Sequence, residues 1–272
     1  MKVFKACLKK EVLEEVRTKR FFYLLGLMVG IVALVYLMMA IMQGLNLMLD
    51  ETTSEEISVV LNMFDFNYYS AYLMFSSFVV TYFSIVCVVM LMRNLSKEIQ
   101  DKKWITPISS GISPSVMIGA KIAVKVLSVA FACFLGCLLH FIITISTCSA
   151  LQSSTISFGI GDLLLGYFCL IMTIIFISTL TICVNAISKK AWVSAVVGLI
   201  VLIFVTTILE SISVGGNLLI TYTPLVFYEV GLTNATLGVA QWVIGSVSYV
   251  LVLGVLIFFA IHTSKIKTEK IK

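Results

Sequence analysis

The sequence predicts an all-α polytopic membrane protein with six transmembrane helices, and three observations support this fold class. Of the 272 residues, 60% are hydrophobic and only 12% are charged, which is about half the charged fraction of soluble domains. Six apolar segments have the roughly 20 residues that a helix needs to cross a hydrocarbon core about 30 Å thick. These segments are also too long and too uniformly apolar for the alternating strands of about ten residues that build a membrane barrel.

The predicted spans divide the chain into three parts. Residues 1–20 form a cytoplasmic interfacial helix, residues 21–262 the transmembrane domain, and residues 263–272 a basic cytoplasmic tail. The six spans are 21–44, 71–92, 122–146, 163–187, 191–213 and 239–262.

The 19 lysines and arginines predict the orientation of the chain. Seven precede the first span, six lie in the segment 93–125 that leads into the third span, two lie between the fourth and fifth, and four follow the last. None is left for the other three connections, so the positive-inside rule places both termini and the 93–125 segment in the cytoplasm. The net charge of +5 reflects this asymmetry, and we expect no nucleic-acid partner because no folded basic domain is present.

The N-terminal segment 2–20 contains strong helix formers and neither glycine nor proline, which predicts a helix. Four apolar residues recur at four-residue intervals and predict a stripe that lies on the membrane surface. They are Phe4, Leu8, Val12 and Val16. Glu11 and Glu15 interrupt the flank of this stripe, and the alternative is a solvated helix whose basic residues face anionic lipid.

The seven cysteines and two histidines form no recognisable catalytic or metal-binding motif. Most of the cysteines fall in apolar spans and none belongs to a Cys-x-x-Cys pair, which favours small buried hydrophobes. The zinc-protease, nucleophile-elbow and P-loop patterns do not occur. We therefore expect no catalytic residue, no metal and no cofactor on this chain, and His140 in the third span is most simply a core residue.

The polar segment 93–125 predicts a docking surface for a cytoplasmic partner. A short helix that carries tryptophan and isoleucine suits a partner groove, because the aromatic side chain fills the groove and the neighbouring charges orient it. The predicted docking residues are Glu98, Asp101, Trp104, Ile105, Pro107 and Ile108.

The last outer connection, 215–238, predicts a segment that re-enters the membrane. It is too apolar for a free loop and is interrupted by Gly215, Gly216 and Pro224, and such backbone is tolerated in a membrane only where protein covers it. Acidic residues in membrane segments are functional candidates, although hydration at the outer surface explains them equally well. The outer gate candidates are Glu210, Pro224 and Glu229.

These features resemble the membrane subunit of an ABC-2 type exporter, which is the permease partner of a separate ABC ATPase. In that family the loop between spans two and three reads as an acidic stretch, a hydrophobic segment, P-I-S-R, and a G-K that enters span three. Residues 98–101, 104–106, 107–110 and 119–121 follow this order, with Ser110 in place of the usual arginine. The family's N-terminal K-x-E-L…R-x-K-R-F entry is similar to residues 9–13 and 17–21.

The resemblance implies a mechanism and a set of partners. Residues 98–110 would form a coupling helix seated in the ATPase, and residues 215–238 would form the outer gate. ATP and Mg would be bound by the separate ABC ATPase subunit. The other partners would be membrane lipid and a second permease copy, either identical or paralogous. The cargo would be a hydrophobic or amphipathic peptide, antibiotic or lipid-like molecule, exported across a bacterial cell membrane.

Two other functions stay open at the level of sequence. The first is a non-transporting docking, sensor or immunity subunit, whose 93–125 segment would bind a different cytosolic protein. The second is an intramembrane enzyme with a diffuse site. ATP-dependent transport with a partner ATPase would exclude the first, and loss of activity on changing His140 would support the second.

Overall fold

The structure is a computed structural model that describes residues 2–49, 66–91, 105–109, 111–148, 158–188, 190–203, 226–233 and 237–269. Within these ranges every regular element is a helix, and five helices are long and apolar enough to cross a membrane. The all-α class and the multi-pass character are therefore confirmed. The predicted span 191–213 is described only as far as residue 203.

The helices are numbered in chain order, and α2, α3, α5, α6 and α9 are the five that could span a membrane. Their bounds are α1 Lys2–Arg17, α2 Arg20–Leu49, α3 Tyr68–Leu91, α4 Ile105–Ser109, α5 Pro114–Thr147, α6 Ile160–Ser188, α7 Ala191–Ile203, α8 Val226–Thr233 and α9 Val239–Glu269. A π-helical turn, Val79–Phe83, lies inside α3.

Local polar side chains determine where several helices begin. The Asn67 carboxamide oxygen accepts a 2.8 Å hydrogen bond from the Ser70 amide at the start of α3. The Asp162 carboxylate accepts one of 2.8 Å from the Gly159 amide at the start of α6. Each bond satisfies a backbone donor at or beside the first turn of a helix, where donors lack a helical partner.

Lys19 separates α1 from α2. Its φ of 54° lies in the left-handed region, and its amide donates to the carbonyl of Val16 at 3.1 Å. A left-handed residue ends one helix and allows the next to start in a new direction. The next helix begins at once, because the Lys19 carbonyl accepts a 3.1 Å hydrogen bond from the Tyr23 amide.

Side-chain contacts define the directions of the long helices. Phe21 of α2 stacks on Phe131 of α5 with ring centroids 5.8 Å apart, and Tyr36 of α2 lies 2.6 Å from Thr144 of α5. The residue numbers rise together, so α2 and α5 run parallel. α6 follows α5 as its antiparallel neighbour and lies at the centre of the bundle, since 67% of its most apolar stretch is buried against 17% in α9.

The short helix α8 packs against the interior of the bundle. Val226, Phe227 and Val230 are buried, and the Phe227 ring lies 4.9 Å from the Tyr249 ring of α9. A Cβ atom placed on Gly231 would lie 3.1 Å from the Leu170 amide nitrogen of α6. Leu170 and Tyr249 each lie ten residues after the first residue of their helices, α6 and α9. This separation corresponds to about 15 Å along the helix axis.

Candidate functional site

The predicted docking residues are only partly visible in the structure. Glu98, Asp101 and Trp104 lie outside the described residues. Ile105 begins α4, and Pro107 and Ile108 lie within it, half-buried. The structure thus places three of the six predicted docking residues on one short helix that directly precedes α5.

A hydrogen-bonded turn joins α4 to α5. The Gly111 amide donates to the carbonyl of Ile108 at 3.0 Å, and the Ile112 amide donates to the carbonyl of Pro107 at 3.1 Å. These two bonds, with Gly111 at a φ of 86°, are the Schellman arrangement that ends many helices. Glycine adopts this φ without the cost that a Cβ atom imposes. Pro114 begins α5 three residues later, so the connection between the two helices is short.

Two buried ion pairs hold α1 against the first turns of α5. The Glu11 carboxylate lies 3.7 Å from the Lys121 ammonium group, and the Glu15 carboxylate accepts a hydrogen bond from Lys125. All four residues are at most 7% exposed. Both pairs are spaced by four residues on each helix, so they form two successive rungs between one face of α1 and one face of α5.

The sequence does not predict these pairs. Lys121 and Lys125 belong to the 93–125 segment, for which it predicts a docking surface, and Glu11 and Glu15 only interrupt the flank of a predicted apolar stripe. The helix that contains the predicted span 122–146 begins eight residues earlier, at Pro114, so both lysines are helical and face the protein. The matching four-residue spacing of opposite charges in the segments 2–20 and 93–125 is the signal that could have indicated the pairing.

Helix α1 crosses α5 obliquely. The Phe4 ring lies 3.9 Å from a Cβ atom placed on Gly119, and eleven residues later Glu15 binds Lys125. Eleven residues rise about 16 Å along α1, whereas the six from Gly119 to Lys125 rise only about 9 Å along α5. Of the predicted stripe, Leu8 is half-buried and the other three residues are exposed. Its position on a membrane surface stays a prediction.

A buried polar cluster links four helices at the other end of the bundle. The His140 ring stacks on Phe75 with centroids 4.1 Å apart, and its Nδ1 atom lies 3.2 Å from the Thr144 hydroxyl and also contacts the Tyr167 hydroxyl. The Tyr36 hydroxyl in turn lies 2.6 Å from that of Thr144. The cluster therefore joins α2, α3, α5 and α6, and His140 is a hydrogen-bonded core residue.

Tyr72 connects α8 to this cluster. Its hydroxyl donates a hydrogen bond to the Gly231 carbonyl, and its ring lies 5.7 Å from that of Tyr167. Gly166 of α6 leaves room for the ring, because a Cβ atom there would lie 2.5 Å from it. Tyr72, Gly166 and Gly231 cannot be singled out from the sequence, since nothing local distinguishes them from other tyrosines and glycines in apolar helices.

The structure locates one of the three outer gate candidates. Glu210 and Pro224 lie outside the described residues, and Glu229 lies within α8. The seven cysteines, all within the described ranges, carry free thiols, and six of them are buried. Among the residues that the structure describes, no group of three or more His, Cys, Asp or Glu side chains is placed to hold a metal ion.

Comparison with protein-family models, with curated proteins and with solved structures gives no match for this chain. Inference about its function consequently rests on its own residues and their geometry.

Proposed function

We propose that this chain is the transmembrane permease subunit of an ATP-driven ABC exporter, powered by a separate ATPase subunit. The observation that carries the proposal is the joint between α4 and α5. A short helix with half-buried Pro107 and Ile108 ends in two backbone hydrogen bonds around Gly111 and continues almost at once into α5. A partner that moves α4 would therefore move α5 as well.

The contacts of α5 would carry that movement through the bundle. α5 is bound to α1 by the two buried ion pairs, to α2 by Tyr36 and Thr144, and to α6 by His140 and Tyr167. With 34 residues it is the longest helix described. The sequence contains no P-loop, so in this proposal ATP and Mg bind to the partner.

Helix α8 supports the proposed outer gate. It lies about 15 Å along both α6 and α9, which suits a segment that enters the membrane and is covered by protein. In the proposal, residues 215–238 form this gate, with Glu210, Pro224 and Glu229 at or near it, and α7 forms part of a sixth span. Both termini are cytoplasmic, and a hydrophobic or amphipathic cargo leaves between two permease copies.

The first test is assembly with a co-expressed ABC ATPase from the same organism. We expect Trp104→Ala combined with Pro107→Ala to weaken the purified complex about thirty-fold or more, because loss of a buried aromatic anchor costs at least about 2 kcal/mol. The rate of ATP hydrolysis in lipid should fall with it. Trp192, exposed on α7, supplies the control, and Trp192→Ala should assemble as the wild type does.

If no ATPase associates with the wild-type chain, or if the double variant assembles normally, the permease proposal fails. A different cytosolic protein bound through the same segment would then support the non-transporting docking subunit.

A second test separates binding from mechanical coupling. Gly111→Ala places a Cβ atom in open space but forces alanine into a left-handed conformation, at a cost of about 1–2 kcal/mol. We expect the complex to assemble normally, with lipid-stimulated ATP hydrolysis reduced several-fold because α4 no longer holds its angle to α5. Gly26→Ala, also in open space but inside α2, should leave the hydrolysis rate unchanged. Equal rates for the two variants would contradict a coupling role for the joint.

A further inference from the structure

The acidic and the basic side chains of α1 lie on different faces of the helix. Glu11 and Glu15 are buried against the lysines of α5, and Glu14 is half-buried. The basic residues of α1 from Lys5 onward are on the outside. Lys5, Lys9, Lys10, Arg17 and the adjoining Lys19 are all exposed. Because the ion pairs remove two of the three carboxylates of α1 from the surface, the exposed basic residues outnumber the one partly exposed glutamate, and the exposed face has a net positive charge.

Aliphatic side chains lie between these basic residues. Val12, Leu13 and Val16 are 43%, 59% and 55% exposed. Lys5 and Lys9 fall on the same side of the helix as these three, since positions 5, 9, 12 and 16 are separated by three or four residues. The exposed face thus combines aliphatic and cationic groups.

The position of α1 places this face near the edge of the hydrocarbon layer. α1 contacts α5 between Gly119 and Lys125, and an uncharged stretch of α5 follows from residue 126 to residue 147. Twenty-two residues of helix rise about 33 Å, which is close to the thickness of a bilayer core. The oblique crossing then inclines α1 toward the membrane plane instead of extending it along α5.

We propose that the exposed face of α1 binds anionic phospholipid headgroups of the leaflet beside it. The lysines and Arg17 would contact the phosphates, and Val12, Leu13 and Val16 would enter the upper acyl region. The positive charges on this face suit the anionic headgroups, and the aliphatic side chains suit the acyl region beneath them. The buried ion pairs have a direct part in this site, because exposed Glu11 and Glu15 would repel the same headgroups. The proposal is independent of the transport function.

The experiment uses the full chain in nanodiscs made of phosphatidylcholine alone or of phosphatidylcholine with phosphatidylglycerol. Amine acetylation is followed residue by residue with mass spectrometry. We expect Lys5, Lys9 and Lys10 to react at least three-fold more slowly in the anionic nanodiscs, relative to the exposed Lys190. Lys190 corrects for the change in surface pH that anionic lipid imposes on every amine. Equal relative rates in the two lipids would overturn the proposal.

Matched variants then test the location of the site. Lys5→Gln, Lys9→Gln and Arg17→Gln together remove three charges from α1. Lys190→Gln, Lys265→Gln and Lys267→Gln remove three elsewhere. Each basic residue near an anionic surface is worth about five-fold in binding. We expect the α1 variant to lose its preference for phosphatidylglycerol by at least ten-fold, measured as bound lipid in native mass spectrometry, and the control to lose at least three-fold less than the α1 variant.

Equal losses in the two triple variants would show a diffuse charge effect and overturn the proposal. Protection of the α1 lysines by a cytosolic protein, without any dependence on lipid composition, would also overturn it, because the face would then be a protein interface.

Discussion

Replacing Lys125 with methionine is expected to lower the free energy of unfolding by about 3–5 kcal/mol, because it leaves the buried Glu15 carboxylate without its counter-charge. Glu15 is 5% exposed and accepts its hydrogen bond from Lys125. Methionine resembles the lysine side chain in length, so the loss reflects charge more than packing. Reversible unfolding in mixed detergent micelles would measure the difference from the wild type.

The double variant Glu15→Gln with Lys125→Met distinguishes charge from structure. Replacing both partners of a buried ion pair with neutral groups is often close to neutral, so the double variant should be more stable than Lys125→Met alone. Lys9→Met, at an exposed position on α1, should change stability by less than about 0.5 kcal/mol. A cost below about 1 kcal/mol for Lys125→Met would show that this pair does not hold α1 to α5.

Gly166→Ala is expected to destabilise the chain by about 2–4 kcal/mol, although it adds a single methyl group. The new Cβ atom would lie 2.5 Å from the Tyr72 ring, and that ring is fully buried and cannot move without losing its bond to Gly231. Overpacking of this kind costs about 1–3 kcal/mol, and loss of the hydrogen bond adds about 1 kcal/mol. Thermal unfolding in detergent would measure the effect.

Gly161→Ala provides the control on the same helix, since a Cβ atom there has no neighbour within 4 Å. It should leave stability unchanged or raise it slightly, because alanine is the better helix former. If the two variants were equally stable, the close packing of Tyr72 against α6 would be wrong. Protease susceptibility near α8 should rise only in Gly166→Ala, because only that variant loosens the bond to Gly231.

The long helices could be predicted from composition because the bilayer itself demands about 20 apolar residues for each span. The burial of Lys121 and Lys125 could not. Pro114 suits the first position of a helix that leads into the third span, and α5 does begin there. Lys121 and Lys125 stay helical because Glu11 and Glu15 neutralise them inside the protein. Local hydropathy contains no information about a partner 110 residues away.

The candidate site shows the same division. The 93–125 segment predicts a short helix, and the structure describes one at Ile105–Ser109 that is closed by hydrogen bonds around Gly111. Tyr72, in contrast, acquires its role only when α8 folds back against α6. Its partner Gly231 lies 159 residues away, and a tyrosine in an apolar helix has many equally plausible partners until the helices are packed.

The ion pairs with α1 divide α5 into a short part and a long part. Lys125 lies eleven residues, or about 16 Å, from the first residue of α5, and 22 residues, or about 33 Å, from the last. If the pairs act as a pivot, α5 is a lever with one arm twice as long as the other. A small displacement of Pro114 then moves Thr147 about twice as far in the opposite direction. A short movement of α4 would thus produce a larger movement at the other end of α5.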